Sequence, residues 1–186
     1  MSATRKILDL IGRSEVPVAA CTVRGLNPFP VLFRRDSLAC DRLPILNEKA
    51  TIDTPLISEP GQNFMVRVLP GATEQVTLMV TGPLTTVAQA LDIAPEIESK
   101  IKEIVWMGGA LNVIGNVSKD MEPGQDMLAE WNACWDSIAI DRVWQTQIPV
   151  AIYPLDITNN VPLSVDFSDR LAKQRKYPIS DLAGQC

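Results

Sequence analysis

Val76-Thr77-Leu78-Met79-Val80-Thr81-Gly82-Pro83-Leu84 is the stretch that decides the fold. Its first five residues form a nearly continuous apolar run, the pattern of a strand buried on both faces of a parallel sheet. Thr81 then stands as a candidate helix N-cap, with Pro83 in the first turn of a helix predicted to run to about Leu91. Working outward, the same strand-to-helix order recurs. Pro95 and Glu96 open a predicted helix in which Ile97, Ile101 and Ile104 recur at helical spacing, until a strand takes over near Val105. Beyond a loop across 108–129, Asp136 is placed to cap a helix through Val143, and Val150-Ala151-Ile152-Tyr153 reads as the last clear strand. Repeated βα units predict an α/β chain, a Rossmann-like, doubly wound and mainly parallel sheet flanked by helices.

Upstream, Ile7, Leu10 and Ile11 share one face of a helix predicted over 3–12, and Gly12 supplies its stop. Val18-Ala19-Ala20-Cys21 reads as a short strand after Pro17. The stretch 24–47 is predicted to be irregular, because Asn27-Pro28-Phe29-Pro30 and Pro44 interrupt regular structure. Phe64, Val66 and Val68 suggest a helix around 61–69.

Composition narrows the function. Of 186 residues, 46% are apolar and 21% charged, a globular balance. Seventeen basic against 22 acidic side chains give a net charge of −5, which argues against a nucleic-acid backbone as partner. No stretch approaches the ~18 uninterrupted apolar residues of a membrane span. The N-terminus lacks the apolar run of a signal peptide, and Cys21, Cys40, Cys134 and Cys186 form no C-x-x-C pair, so a reducing, cytoplasmic setting is expected. The sequence contains no histidine, which removes Ser-His-Asp, Cys-His and H-E-x-x-H chemistry. Chemistry in this chain has to rest on carboxylates, amides, backbone groups or a hard metal held by oxygen.

Polar and glycine residues placed just after apolar runs mark where such a fold builds its ligand site. In order they are Val80-Thr81-Gly82-Pro83-Leu84, Trp106-Met107-Gly108-Gly109, Gly115-Asn116, Ala129-Glu130-Trp131-Asn132 and Pro154-Leu155-Asp156-Ile157-Thr158. Thr81 either offers its carbonyl to a hard cation or is a helix cap only. Glu130 and Asn132, two apart on a segment read as extended, would point the same way and bracket one polyol. Phe29 and Phe33, on a proline-braced loop, either stack on a flat base or pin the loop to the core. Asp156 follows a strand where a catalytic carboxylate would sit, but its neighbours read as a turn. Cys134 reads as a structural thiol.

In this order the motifs resemble the nucleoside hydrolases, which cut the N-glycosidic bond between ribose and a nucleobase. The resemblance covers about residues 5–164. It implies that Met107, Asn116, Glu130 and Asn132 bind ribose, that the Thr81 carbonyl is a ligand of a bound Ca²⁺, and that the partner is a small ribonucleoside. Asn27–Arg34, Leu43–Asn47 and Glu130–Asn132 look like the purine-preferring branch, whose stacking aromatic residue aligns approximately with Phe33. The family opens with a D-x-D-x-x-x-D-D cluster that supplies metal ligands and general base, and carries a further metal-binding aspartate later. Asp9, Asp36 and Asp41 do not reproduce that cluster, so the sequence is read as one partial domain, 1–186, truncated at both ends, with no catalytic residue assigned. The alternatives are an inactive nucleoside-binding or subunit-pairing relative, and a non-enzymatic Rossmann-like binding domain. A homo-oligomer is a further partner expectation.

Overall fold

Apolar runs followed by glycine and proline generate short strands and helices in the computed structural model, which describes residues 2–184. In chain order the elements are α1 (Ser2–Leu10), β1 (Val18–Ala19), α2 (Val31–Asp41), β2 (Leu56–Ile57), α3 (Gly61–Val68), β3 (Val76–Val80), α4 (Thr85–Ile93), β4 (Ile101–Met107), α5 (Trp131–Trp135), α6 (Ser137–Trp144), β5 (Val150–Tyr153), α7 (Leu155–Thr158), α8 (Val165–Ala172) and α9 (Pro178–Ala183). Turns of 3-10 helix occupy Pro44–Asn47, Leu69–Gly71 and Pro95–Lys100. Among the described residues, no helix is long and apolar enough to cross a membrane.

The chain divides into two compact units. The first takes residues 2–20, 31–58 and 162–184, the second 21–30 and 59–161. In the first unit β1 pairs with β2 in parallel, Val18 opposite Leu56, and Leu46 and Leu182 are buried. Gly12, at φ +69°, ends α1 in the left-handed conformation that glycine adopts without strain.

The second unit holds a three-stranded parallel sheet in the order β3-β4-β5. Side chains alternate across it, as the period of two requires. Val76, Leu78 and Val80 of β3 and Val150 and Ile152 of β5 pack on a core that includes Ile104 and Trp106 of β4, Leu84, Val87 and Leu91 at α4, and Val143 of α6. On the opposite face Thr77 is exposed and Met79 is 79% exposed, so β3 is not buried on both faces as its apolar run predicts. Parallel strands flanked by helices are the α/β class that the sequence predicts, and the three carboxyl ends meet at one edge.

Three local expectations need correction. The stretch 24–47 is not irregular, because α2 and the Pro44–Asn47 turn lie within it. Pro28 and Pro30 precede the helix instead of breaking it, and a helix tolerates proline at its entry. Thr81 does not cap α4. Leu84 occupies that position without a side-chain cap, and the helix begins at Thr85. Pro83 holds Gly82 away from the α region and so delays the start. Finally, β4 begins at Ile101, not near Val105, and only Pro95–Lys100 is helical. Its pairing with β3 skips from Val76–Ile101 to Thr77–Glu103, so Lys102 is an extra residue. That bulge puts Ile101 and Ile104 on the same buried face at a spacing of three, which imitates a helix in the sequence.

Candidate functional site

β3, β4 and β5 all end at the same edge, so Thr81 and Pro154 follow the ends of β3 and β5 and Met107 closes β4 between them. Backbone groups there have run out of ladder partners and face whatever lies beyond the sheet. The Trp106 indole N–H donates to the Gly82 carbonyl at 2.9 Å, tying the β3 and β4 exits together. Gly108 lies against that indole. A Cβ at 108 would sit 2.2 Å from the ring, so only glycine fits. Gly109 follows at φ +86°, a conformation that favours glycine.

Glu130 is 2% exposed and is the N-cap of α5. Its Oε1 accepts from the Asn132 N–H at 3.0 Å, and its Oε2 from the Ala133 N–H at 3.1 Å and the Gly109 N–H at 2.9 Å. The carboxylate therefore satisfies two helix-end donors and fixes the glycine loop across 21 residues of sequence. The extended Glu130–Asn132 segment expected from the sequence is not found, since Asn132 lies in the first turn of α5. Its amide donates to the Met107 carbonyl at 3.0 Å and the Thr81 carbonyl at 3.4 Å, with the Met107 sulfur at 3.3 Å. Carbonyls only accept, so Nδ2 has to face them, and Oδ1 accepts no hydrogen bond among the described residues.

Asn116 is held the other way round. Its Oδ1 accepts the Trp131 N–H at 3.0 Å, and its exposed Nδ2 makes no hydrogen bond among the described residues. The loop closes on itself at this point. The Asn116 and Val117 N–H groups donate to the Ala129 carbonyl at 2.9 and 3.1 Å, and a Cβ on Gly115 would meet that same carbonyl at 2.1 Å. The structure thus brings together Thr81, Met107, Asn116, Glu130 and Asn132. Phe33 lies apart from them in sequence and belongs to α2 of the first unit, where its carbonyl accepts from the Ser37 hydroxyl.

Several neighbours have structural work. The Phe29 ring lies 4.4 Å from that of Trp135, and Asn27 donates through its backbone to the Trp135 carbonyl and through its amide to the Cys134 carbonyl. Phe29 therefore pins its loop to α5, the structural alternative weighed for it. Burial pushes the Cys134 thiol up, with the charges of Glu122 and Glu130 adding to it, which fits a structural thiol. Asp136 caps α6 as its position predicts, accepting from Ala139 N–H at 3.0 Å. It also takes the Thr85 hydroxyl at 2.6 Å, a buried link absent from any local pattern. Asp156, in the first turn of α7, accepts from the Leu111 and Asn112 N–H groups, and the Leu111 bond above all holds its carboxyl below the ordinary aspartate range.

Calcium prefers six to eight oxygen ligands. At this site Thr81 offers one neutral oxygen that Asn132 already contacts, and Glu130 is occupied by three N–H groups. Among the described residues no three His, Cys, Asp or Glu side chains cluster to hold a metal. The described residues do not by themselves compose a calcium site.

Known proteins place this arrangement. The family model described as inosine-uridine preferring nucleoside hydrolase matches residues 1–185. The chain is 34% identical to the pyrimidine-specific ribonucleoside hydrolase RihA of Escherichia fergusonii, over 97% of this chain and 54% of the relative. It superposes on the inosine-uridine preferring nucleoside hydrolase from Bacillus anthracis with a TM-score of 0.92 at 45% identity, covering 100% of this chain and 60% of that one. A purine-preferring ribonucleoside hydrolase from Gardnerella vaginalis matches with a TM-score of 0.66 at 26% identity, covering 98% and 56%. The chain thus spans about half the length of the curated relatives it matches. With a match along nearly its whole sequence and a fold superposing this closely, the chain belongs to the inosine-uridine preferring nucleoside hydrolase family.

Proposed function

We propose that this chain supplies the ribose-binding part of an enzyme that hydrolyses the N-glycosidic bond of ribonucleosides. One observation carries the reading: two asparagines with opposite halves of their amides already engaged. Asn132 gives its NH₂ to strand-end carbonyls and keeps an acceptor, while Asn116 gives its oxygen to Trp131 N–H and keeps two donors. A sugar diol presents hydroxyls that both donate and accept, and complementary half-amides fit it. Glu130 uses three of about four acceptor positions on backbone N–H groups, so one remains for a hydroxyl. Rigid positioning of the sugar favours the reaction, because bond cleavage develops oxocarbenium-like charge on that ring. The Thr81 carbonyl is the chain's candidate oxygen for the calcium that the resemblance implies, and alone it does not hold the ion.

For the base, the relatives' names point in two directions, one pyrimidine-specific and one purine-preferring. The reading here is a purine, from the Asn27–Arg34 segment with Phe33 as its aromatic face. Calorimetric titration of the purified chain with inosine, uridine and free ribose tests all of this. Inosine is expected to bind, ribose to compete with it, and Asn132→Ala to weaken both. Competition by free base but not by ribose would overturn the sugar assignment, and tighter binding of uridine the purine one. No D-x-D-x-x-x-D-D cluster occurs in the 186 residues, so binding without ribose release is expected. Reducing-sugar formation by the purified chain would contradict that.

A further inference from the structure

We propose that Asp156 is a positioning residue for the ribose site, acting through the glycine loop on Glu130; this rests on the nucleoside-binding reading above. The loop after β4 is gripped from the start of α7 on two sides. The Leu155 N–H donates to the Gly109 carbonyl at 2.9 Å. Two and three residues beyond Gly109, the N–H groups of Leu111 and Asn112 donate to Asp156 Oδ2 and Oδ1 at 2.9 and 2.8 Å. The Asn160 amide in turn donates to the Asp156 carbonyl at 2.6 Å and steadies the turn that carries it. At the first of these grips Gly109 sits at φ +86°, with its own N–H aimed at Glu130 Oε2, 2.9 Å away.

Glycine in the left-handed region has little intrinsic preference for staying there. The direction of the Gly109 N–H is fixed by anchors before and after it: the Gly108 N–H donates to the Tyr153 carbonyl at 3.3 Å, and the Leu155 and Asp156 bonds follow. The carboxylate at 156 is suited to the task. It has two acceptor oxygens side by side and no donor, which matches two successive N–H groups. Release of the Asp156 bonds would leave the loop beyond Gly109 tied to α7 by the Leu155 N–H alone, and the Gly109–Glu130 bond would loosen. Glu130 would then keep its two helix-cap partners, Asn132 and Ala133, and lose the third bond that fixes the tilt of its carboxylate toward the site. The residue thus has no contact with the sugar in this proposal and works by aiming the group that does.

The test combines a spectroscopic signature with binding. In the folded 186-residue chain, the Gly109 amide proton is expected downfield, as a donor to a carboxylate. Asp156→Ala is expected to move it upfield and to speed its hydrogen exchange. It should also weaken inosine binding about tenfold, as loosened positioning does. Amide and methyl shifts of α6 and β4 report whether the core survives. Asp156→Asn, which keeps one acceptor but turns a donor toward an N–H, is expected to fall between the two, and it decides the question should the alanine variant not fold. A Gly109 amide unmoved in both variants overturns the proposal. So does a Gly109 amide that moves while inosine affinity stays the same. If the unaltered chain binds no inosine at all, the nucleoside reading fails, and the Gly109 resonance still decides whether Asp156 aims Glu130.

Discussion

In the first unit, the Lys6 ammonium uses all three of its donors, on the Asp41 carboxylate, the Asp41 carbonyl and the Asn47 amide oxygen. Asp9 of the same helix takes the Asp53 N–H, the Thr54 N–H and the Thr54 hydroxyl. In the second unit, Glu130 likewise takes three N–H groups, but Asn132 and Asn116 each leave half an amide unspent. Both networks tie loops to helix ends. The first closes at its cation, since Lys6 spends all three donors inside the unit. The second is closed toward the backbone and open outward. A closed network is a staple, whereas hydrogen-bonding capacity held rigid and left over is what a polar ligand needs. Burial also differs: Glu130 is 2% exposed, while Asp9 is half-buried, although its partner Thr54 is buried.

The largest expected effect follows from that burial. Glu130→Ala strands three N–H groups, one of them in the glycine loop, and is expected to cost about 3 kcal/mol, since unsatisfied buried donors lose their full hydration. Asp9→Ala, which removes a carboxylate that is itself only half-buried and strands an exposed Asp53 N–H along with the buried Thr54 donors, is expected to cost less. Urea unfolding of the two variants compares them directly. Equal shifts in midpoint would erase the distinction between the two networks. Glu130→Gln separates charge from geometry, because its amide presents a donor to N–H groups that need an acceptor.

Next comes the close packing beneath the open network. Gly108→Ala places a methyl 2.2 Å from the Trp106 indole, which is itself 2% exposed and bonded to the Gly82 carbonyl. Overpacking of this kind is expected to cost about 2 kcal/mol and to displace the ring. Gly82→Ala, with nothing within 4 Å of its added Cβ, is expected to change stability by no more than about 0.5 kcal/mol. Tryptophan fluorescence and thermal unfolding read both. If the two alanines behave alike, the strand-end layer is softer than its geometry indicates.

These contrasts also explain what was legible in the sequence. The β3 run, its glycine–proline exit and the Asp136 cap carry their signals within a few residues, so each is readable locally, although the exact helix start after Pro83 is not. The cluster of Thr81, Met107, Asn116, Glu130 and Asn132 was legible through the resemblance, not through spacing. Glutamate is not among the usual N-cap residues, and one of its three partners lies at Gly109, so nothing near 130 announces its role. The bulge at Lys102 turned a strand into an apparent helix. Asp156 was ambiguous for the same reason as Glu130, because its partners Leu111 and Asn112 lie far back in the chain.

The smallest expected effect concerns the closed network in acid. The Thr54 hydroxyl above all, then the Asp53 and Thr54 N–H groups, hold the Asp9 carboxyl below its ordinary value of 3.8, and Lys49 adds to this. A carboxyl lowered by folding stabilises the fold above its unfolded value. That contribution is lost as pH falls through the folded value, below 3.8. On titration from about pH 6 to about pH 2, the Thr54 amide resonance is therefore expected to hold steady through the range where free aspartate protonates, and to shift only below it. Asp9→Asn should abolish that late step while leaving the resonances of Gly109 and Asn132 where they were. A Thr54 shift centred at or above 3.8 would mean that the three donors around Asp9 do not act together. The first unit would then hold its loop by packing at Leu46 and Leu182, not by a closed polar staple.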